Sequence, residues 1–186
     1  MDNRLIIARI KENLANRNKT DRIMWFSMWF LTSVATFGLA FFPMIYLLVD
    51  RRNKHFKRQK ELEALLIAYF KNGKIAETRD CECGPIWRNP LLWSLSIILI
   101  LPVFLIAYLL SKDLILHAKR QQEFFEGLIG EKSFKAPTIN LKNCVLITVF
   151  TLGLGLIYWL YKIFNCYNYH FKEQWMMEDK IIALIK

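Results

Sequence analysis

Three blocks of uncharged, apolar residues restrict how this chain can fold more than any other feature. They occupy residues 24–49, 91–110 and 144–161. Apolar runs of about 18 residues or more are typical of membrane helices, whereas the buried helices of globular proteins carry shorter runs. An apolar fraction of 54% and an aromatic fraction of 15% agree with that class. The blocks therefore predict an all-α integral membrane protein.

The sequence also resembles itself at two spacings. A shift of 115 residues places Gly38 on Gly153 and His55 on His170, and a shift of 62 residues places His55 on His117. In each copy an apolar block is followed by a basic stretch and then by apolar residues at helical spacing. We therefore predict three repeated units, each made of an apolar membrane segment and a basic amphipathic helix.

The expected organisation has six parts. The first part places Ile6, Ile10 and Leu14 on one helical face, which favours a helix lying on a membrane surface or on a neighbour. Packing of that helix on its own protein is an equal alternative. The parts are an N-terminal amphipathic helix (1–23), a first unit (24–71, membrane segment 24–49), a linker (72–90), a second unit (91–129, membrane segment 91–110), a linker (130–142) and a third unit (143–186, membrane segment 144–161).

Two topologies are compatible with these blocks. If each block crosses the membrane once, the basic residues divide almost evenly between the two sides, although short loops normally show a positive-inside bias. If each block is a helical hairpin, all 26 Lys and Arg residues lie on one side. Gly38, Pro102 and Gly153 lie near the block centres, where they permit a reversal. Glycine and proline are also common within membrane helices, so both topologies remain open.

The stretch TLGLGLIYWLYK, residues 151–162, carries a family resemblance. It resembles the signature of small, uncharacterised bacterial and archaeal membrane-protein domains, in which Thr-Leu-Gly-aliphatic is followed by an aromatic pair and a basic residue. The first block contains a looser relative, in which Pro43 and Met44 replace the aromatic pair. The resemblance implies a membrane unit and says nothing about chemical activity. Its residues are Thr151, Gly153, Tyr158, Trp159, Tyr161 and Lys162.

Basic and aromatic side chains next to the blocks are the predicted contact residues. Lysine and arginine beside a membrane segment bind anionic lipid headgroups or an acidic partner, and tryptophan favours the membrane interface. The predicted lipid or partner contacts are Arg51, Arg52, Lys54, Lys57, Arg58, Lys119, Arg120 and Lys172, and the predicted interfacial anchors are Trp25, Trp29, Trp159 and Trp175.

The three histidines occupy equivalent positions, and they are the weaker of the predicted sites. A hairpin topology could bring His55, His117 and His170 together as a three-ligand metal site. Single crossings would put His117 on the opposite face and exclude such a site. A lysine stands two residues after each histidine and opposes a bound cation, so no metal is favoured. Cys81 and Cys83 form a Cys-x-Cys pair without the second pair that zinc sites usually have.

The sequence favours a non-catalytic role. Without ionisable residues inside the blocks, a small transporter or pore component is disfavoured, and without a recognisable catalytic motif we expect no enzyme and no cofactor. The net charge of +10 suits anionic lipid, and it flanks apolar blocks in a way that nucleic-acid-binding faces do not. We therefore expect an accessory or assembly subunit of a larger membrane complex, with a membrane-shaping hairpin protein as the alternative. The expected location is the prokaryotic cytoplasmic membrane, with basic segments towards the cytoplasm.

Overall fold

The computed structural model describes residues 3–70, 86–129 and 139–185, and the regular structure in these ranges is entirely helical. Three helices of about 30 residues alternate with much shorter ones. The elements are α1 (Asn3–Ala15), α2 (Arg17–Thr20), α3 (Phe26–Ala35), α4 (Phe41–Phe70), α5 (Pro90–Ser96), a 3₁₀ turn (Ile97–Leu99), α6 (Leu101–Ile129), α7 (Leu141–Phe150) and α8 (Gly155–Leu184).

A sharp turn interrupts each apolar block. Gly38 between α3 and α4 has φ of 90°, and Gly153 between α7 and α8 has φ of 99°. These left-handed values suit glycine, which lacks the Cβ that makes such a conformation costly. Phe37 and Leu152 precede the glycines with φ of 51° and 50°, and Ile100 turns the second block with φ of 60°. The helices end there because a left-handed residue cannot continue a right-handed helix.

The first and third turns share one hydrogen-bond pattern. The Thr36 hydroxyl oxygen accepts from the backbone N–H of Ala40 at 3.0 Å, and Thr151 accepts from Gly155 at 2.7 Å. Each threonine thus satisfies one of the free backbone donors at the start of the next helix. The Thr-x-Gly pattern common to the two blocks is therefore a turn signal.

The chain reverses direction at these turns. Arg51, after the first block, donates to the backbone carbonyl of Arg22, which precedes that block. Arg88 precedes the second block and forms an ion pair at 2.8 Å with Asp113, which follows it. Helix α7 likewise packs against α8. Each apolar block is a helical hairpin with a short first arm and a long second arm, which was one of the two predicted topologies.

The helix lengths differ from those expected if each apolar block crosses the membrane once. Within the described ranges, only Leu101–Leu128 is both long and apolar enough to cross a membrane. The shorter apolar helices are Phe26–Ala35, Pro90–Leu99 and Leu141–Phe150. An arm of 10 residues is about 15 Å long, which is half the thickness of a bilayer core.

The three long helices form a central bundle and run parallel. The contacts between α4 and α8 follow the same order along both helices, from Arg51 with Asn168 to Gln59 with Gln174. The buried positions of all three helices are spaced alternately by four and three residues, as in a coiled coil. These positions include 48, 52, 55, 59, 62 and 66 in α4, 110, 114 and 121 in α6, where the partly buried His117 fills the place between 114 and 121, and 163, 167, 170, 174, 177 and 181 in α8.

The N-terminal helix packs on this bundle. Ile6, Ile10 and Leu14 are buried in a hydrophobic cluster that includes Leu62 and Leu66 of α4. The apolar face of α1 is therefore covered by the protein itself, which is the second of the two alternatives predicted for it.

The hairpin tips leave large apolar side chains uncovered at one end of the bundle. Phe37 is 99% exposed, Leu152 is 96% exposed and Leu101 is 77% exposed. The bases of the hairpins are covered by polar contacts such as those of Arg88 and Arg51. The molecule thus has one strongly apolar end, and polar contacts lie at the bases of its hairpins.

Candidate functional site

The three histidines meet at the centre of the bundle. His55, His117 and His170 come from α4, α6 and α8, and their ring centroids are separated by 5.2, 5.2 and 5.3 Å. Nε2 of His55 lies 3.2 Å from Nε2 of His117 and 3.3 Å from Nε2 of His170. His55 and His170 are fully buried, and His117 is partly buried. One candidate ligand atom from each side chain lies within 4.8 Å of the other two.

Asp21 fixes the orientation of the His55 ring. Its Oδ1 lies 2.9 Å from Nδ1 of His55, while its Oδ2 accepts from Arg58 at 2.6 Å and from the Trp175 indole at 2.8 Å. A carboxylate accepts hydrogen bonds, so Nδ1 of His55 carries the proton. Nε2 of a neutral His55 then presents its lone pair to the other two rings.

The charge states around the cluster follow from these contacts. Burial by itself raises the pKa of Asp21, but the electrostatic interactions with His55 and Arg58 and the hydrogen bonds of His55 and Trp175 outweigh it, leaving the pKa well below its usual value. Burial lowers the pKa of His170 well below 6.5, the nearby His55 lowers it further and Asp21 acts in the opposite sense. Asp21 is therefore an anion and His170 a neutral imidazole near neutral pH.

The lysines that follow the histidines do not face the cluster. Lys57, Lys119 and Lys172 are all exposed. Residues two apart on a helix point to nearly opposite sides, so each lysine projects into solvent while its histidine projects inward. These lysines were expected to oppose a cation bound by the histidines, and their positions in solvent remove that objection.

A layer of glutamines lies one helical turn beyond the histidines. Gln59 donates to Glu178 at 2.7 Å and accepts from Gln174 at 2.7 Å. Gln121 is fully buried, and neither its amide nitrogen nor its amide oxygen has a hydrogen-bond partner among the described residues. Each glutamine stands four residues after a histidine, which places it on the same helix face.

Three of the predicted headgroup contacts are buried. Arg51 is 1% exposed and lies over the rings of Phe164, Tyr167 and Phe171. Arg52 is also 1% exposed and pairs with Asp113 at 2.8 Å. These side chains bind inside the protein because the hairpin bases close over them, so they do not reach a lipid headgroup in this conformation.

Arg58 is the third of these buried arginines. It is 3% exposed and bridges Asp21 at 2.6 Å and Glu178 at 2.8 Å. The remaining predicted basic contacts are exposed or partly exposed and stay available to headgroups or partners, namely Lys54, Lys57, Lys119, Arg120 and Lys172.

The four predicted tryptophan anchors fall into two groups. Trp25 is 60% exposed, and Trp29 is partly exposed. Trp159 is 2% exposed and donates to Ser111 at 2.9 Å, so it is a core residue and not an interfacial one. Trp175 is partly buried, and its indole N–H donates a hydrogen bond to Asp21.

Cys81 and Cys83 lie outside the described residues. Asp21 and the glutamine layer were missed by the sequence interpretation, although the repeated His-x-x-x-Gln spacing of the three units was a signal that could have revealed the glutamines.

Comparison with known proteins adds no relative. No family model, curated protein or solved structure matches this chain.

Proposed function

We propose that this protein is a three-unit membrane protein that inserts its hairpins into one leaflet and acts as a non-catalytic accessory subunit of a larger membrane complex. The observation that carries this proposal is the exposure of large apolar residues at all three hairpin tips. Phe37, Leu101 and Leu152 are each more than three-quarters exposed at one end of the molecule. Contiguous apolar surface of this kind marks contact with a membrane or with another protein.

The depth of insertion follows from the arm lengths. Short arms of 10 residues reach about 15 Å, so the tips would end near the bilayer midplane. Lys57, Lys119 and Lys172 would then stay on the side of entry, in contact with anionic headgroups. By the positive-inside tendency that side would be the cytoplasmic face of a prokaryotic inner membrane.

The accessory role rests on the apolar surface along the short arms. Leu31 and Val34 of α3 and Leu146 and Val149 of α7 are among the exposed residues outside the tips. In a leaflet this surface would contact lipid tails or the membrane helices of a partner subunit, where close van der Waals packing holds helices together.

A membrane-shaping protein is the second candidate, and the half-bilayer depth of the hairpins favours it. Three hairpins that enter one leaflet expand that leaflet alone, so the bilayer curves with the expanded leaflet on its convex side. A fixed stoichiometry with a partner after mild extraction supports the subunit proposal, and migration as a lone 22.1 kDa chain contradicts it. Tubulation of vesicles by the purified protein supports the second candidate.

Insertion itself is tested by labelling single cysteines with a membrane-impermeant thiol reagent, after the four native cysteines are replaced by alanine. Lys57→Cys, Lys119→Cys and Lys172→Cys are matched sites, because all three are exposed and occupy equivalent positions. One-sided insertion predicts that all three label from the same face. Labelling of Lys119→Cys from the opposite face overturns it.

The hairpin tips provide the control for depth. Phe37→Cys and Leu152→Cys should be protected from the reagent on both sides of the membrane and should react once detergent dissolves the bilayer. Labelling of either tip from the far side of an intact membrane would mean that the hairpins cross it.

A further inference from the structure

The geometry of the histidine cluster points to a function beyond membrane insertion. We propose that His55, His117 and His170 bind one divalent transition-metal ion of the zinc class through their Nε2 atoms, with a water molecule as the fourth ligand. The site joins one residue from each long helix and therefore ties the three hairpins together.

The separation of the nitrogens fits a tetrahedral ion. Zinc binds imidazole nitrogen at about 2.0–2.1 Å, so two ligands of a tetrahedral site lie about 3.3–3.4 Å apart. Nε2 of His55 is 3.2 Å from one partner nitrogen and 3.3 Å from the other. One ligand atom from each histidine lies within 4.8 Å of the other two, so the rings must close by at most about 1.5 Å to complete the triangle.

The environment of His55 matches that of a zinc-bound histidine. Histidines that bind metal nearly always donate their other ring N–H to a carboxylate, a backbone carbonyl or water. Here the Nδ1 of His55 faces Asp21 at 2.9 Å, and both of these side chains are buried. Arg58 holds the same carboxylate at 2.6 Å, so the carboxylate and the ring have one fixed orientation.

Hydrogen bonds among the rings explain the cluster less well. A neutral His55 with its proton on Nδ1 has one lone pair on Nε2, yet two other Nε2 atoms approach that nitrogen within 3.3 Å. One N–H can be accepted there, so this nitrogen cannot form a hydrogen bond with both of the other rings. A metal ion uses the lone pairs of all three rings at once.

The charges on the Asp21 side of the cluster favour a cation. Asp21 and Glu178 share the single guanidinium of Arg58, which leaves a surplus of carboxylate on that side of the cluster. Arg52 pairs at 2.8 Å with Asp113, a carboxylate that it shares with Arg88.

Gln121 supplies an independent observation that points to a bound ligand. Its side chain is fully buried one turn beyond His117, and both of its amide atoms lack a partner in the described part of the chain. The amide oxygen of Gln174 on the same layer also lacks a partner. Buried polar atoms normally have hydrogen bonds, and a metal-bound water would satisfy these.

Imidazole ligands restrict the choice of ion. Three neutral nitrogen ligands suit Zn²⁺ and its neighbours in the first transition row, whereas Mg²⁺ and Ca²⁺ prefer oxygen. Zn²⁺ is the probe for affinity, and Co²⁺ reports geometry through its visible absorption.

The test uses the full chain in detergent, purified with a histidine-free affinity tag and stripped with a chelator. We expect one Zn²⁺ per chain, no binding of Mg²⁺ and an X-ray absorption spectrum with three imidazoles at about 2.0–2.1 Å. Binding of less than one equivalent, or a spectrum with fewer than three imidazoles, overturns the proposal. Azide should shift the Co²⁺ spectrum, and an unchanged spectrum contradicts an exchangeable water.

Matched variants locate the site. His170→Gln should lower Zn²⁺ affinity at least about 100-fold, because loss of a group that only hydrogen-bonds to a metal ligand already costs about 10- to 100-fold. Lys172→Gln changes an exposed residue on the same helix and should leave affinity unchanged. If His170→Gln does not fold, His117→Gln removes the least buried ligand and gives the same prediction. Unchanged affinity in the histidine variant overturns the assignment.

Thermal unfolding provides a second readout. An ion that binds only the folded protein should raise the midpoint by on the order of 5–10 °C at a 100-fold excess over the dissociation constant. The rise should be lost in His170→Gln and kept in Lys172→Gln. Because these measurements are made in detergent, their outcome is independent of one-sided membrane insertion.

Discussion

His55 and Asp21 meet at 2.9 Å inside the bundle, although 34 residues and the whole first hairpin separate them in the chain. Asp21 lies just before the first apolar block, and His55 lies just after it. The contact therefore exists only because the block reverses, and it couples the hairpin turn to the chemistry of the histidine cluster.

Asp21→Asn should weaken both the fold and the metal site. The substitution removes one of the two carboxylates paired with the buried Arg58 and the charged partner of the His55 ring, a loss of about 1–3 kcal/mol because Glu178 still pairs with Arg58. It should also lower Zn²⁺ affinity about 10- to 100-fold. Asp50→Asn is the control, because its partner Lys54 is 53% exposed and a pair of this kind is worth about 0.5 kcal/mol. Denaturant titration and chelator competition measure the two effects, and equal stability of the two variants would refute this role for Asp21.

The metal-free protein should lose stability as pH falls below 6.5. Burial and the nearby His55 hold the pKa of His170 below the unfolded value of 6.5, so the unfolded chain binds the proton first. The free energy of unfolding should then fall by about 1.4 kcal/mol per pH unit for this group, and level off above 6.5. Asp21 has a lowered pKa, so its contribution is lost only below 3.8. Unfolding titrations from pH 5 to 8 check the slope, which should be shallower in His170→Gln.

Gly155→Ala should destabilise the third hairpin. A Cβ there would lie 2.8 Å from the backbone of Ile147 and Thr148, so α7 would have to move away from α8. Overpacking of this kind costs about 1–3 kcal/mol. Gly127→Ala is the matched control, because a Cβ at Gly127 meets nothing within 4 Å and should stabilise α6 by about 0.5–1 kcal/mol. Thermal unfolding of the two variants in the same detergent should give shifts of opposite sign.

Asp113→Ala should cost more stability than Arg52→Met. Removing the carboxylate leaves the Arg52 guanidinium buried at 1% exposure without its ion pair, a loss of about 3–5 kcal/mol. Replacing the arginine by methionine removes the charge together with the need for a partner. A double-mutant cycle over the two positions should show coupling above about 1 kcal/mol. Additive effects would show that the pair is not coupled.

The internal similarity of the sequence was the feature that predicted most of the fold. Sequence shifts of 62 and 115 residues showed that His55, His117 and His170 occupy equivalent positions. In the structure their nitrogens lie side by side. Gly38 and Gly153, singled out as possible points of reversal, both have positive φ. These signals are local or periodic, so they can be read from the residues alone.

Burial of charge was beyond the reach of the sequence. Three buried arginines follow an apolar block, as basic residues do at the end of a membrane segment. They nevertheless pair with residues from distant parts of the chain: Arg51 with Asn168, Arg52 with Asp113 and Arg58 with Glu178. A basic run has the same composition whether it faces headgroups or a buried carboxylate. Only the positions of the other helices distinguish the two environments.

The sequence alone indicated the helical class and marked Gly38 and Gly153 as points where the apolar blocks can reverse, because hydrophobic spacing and glycine act over a few residues. The tertiary structure decided whether the blocks cross or reverse, and that choice set whether three equivalent histidines form one site or two. Parallel packing of α4, α6 and α8 brings the imidazoles to one layer, and the hairpin bases bring Asp21 to it. Such contacts depend on the free energy of the whole assembly of helices, which no single segment encodes.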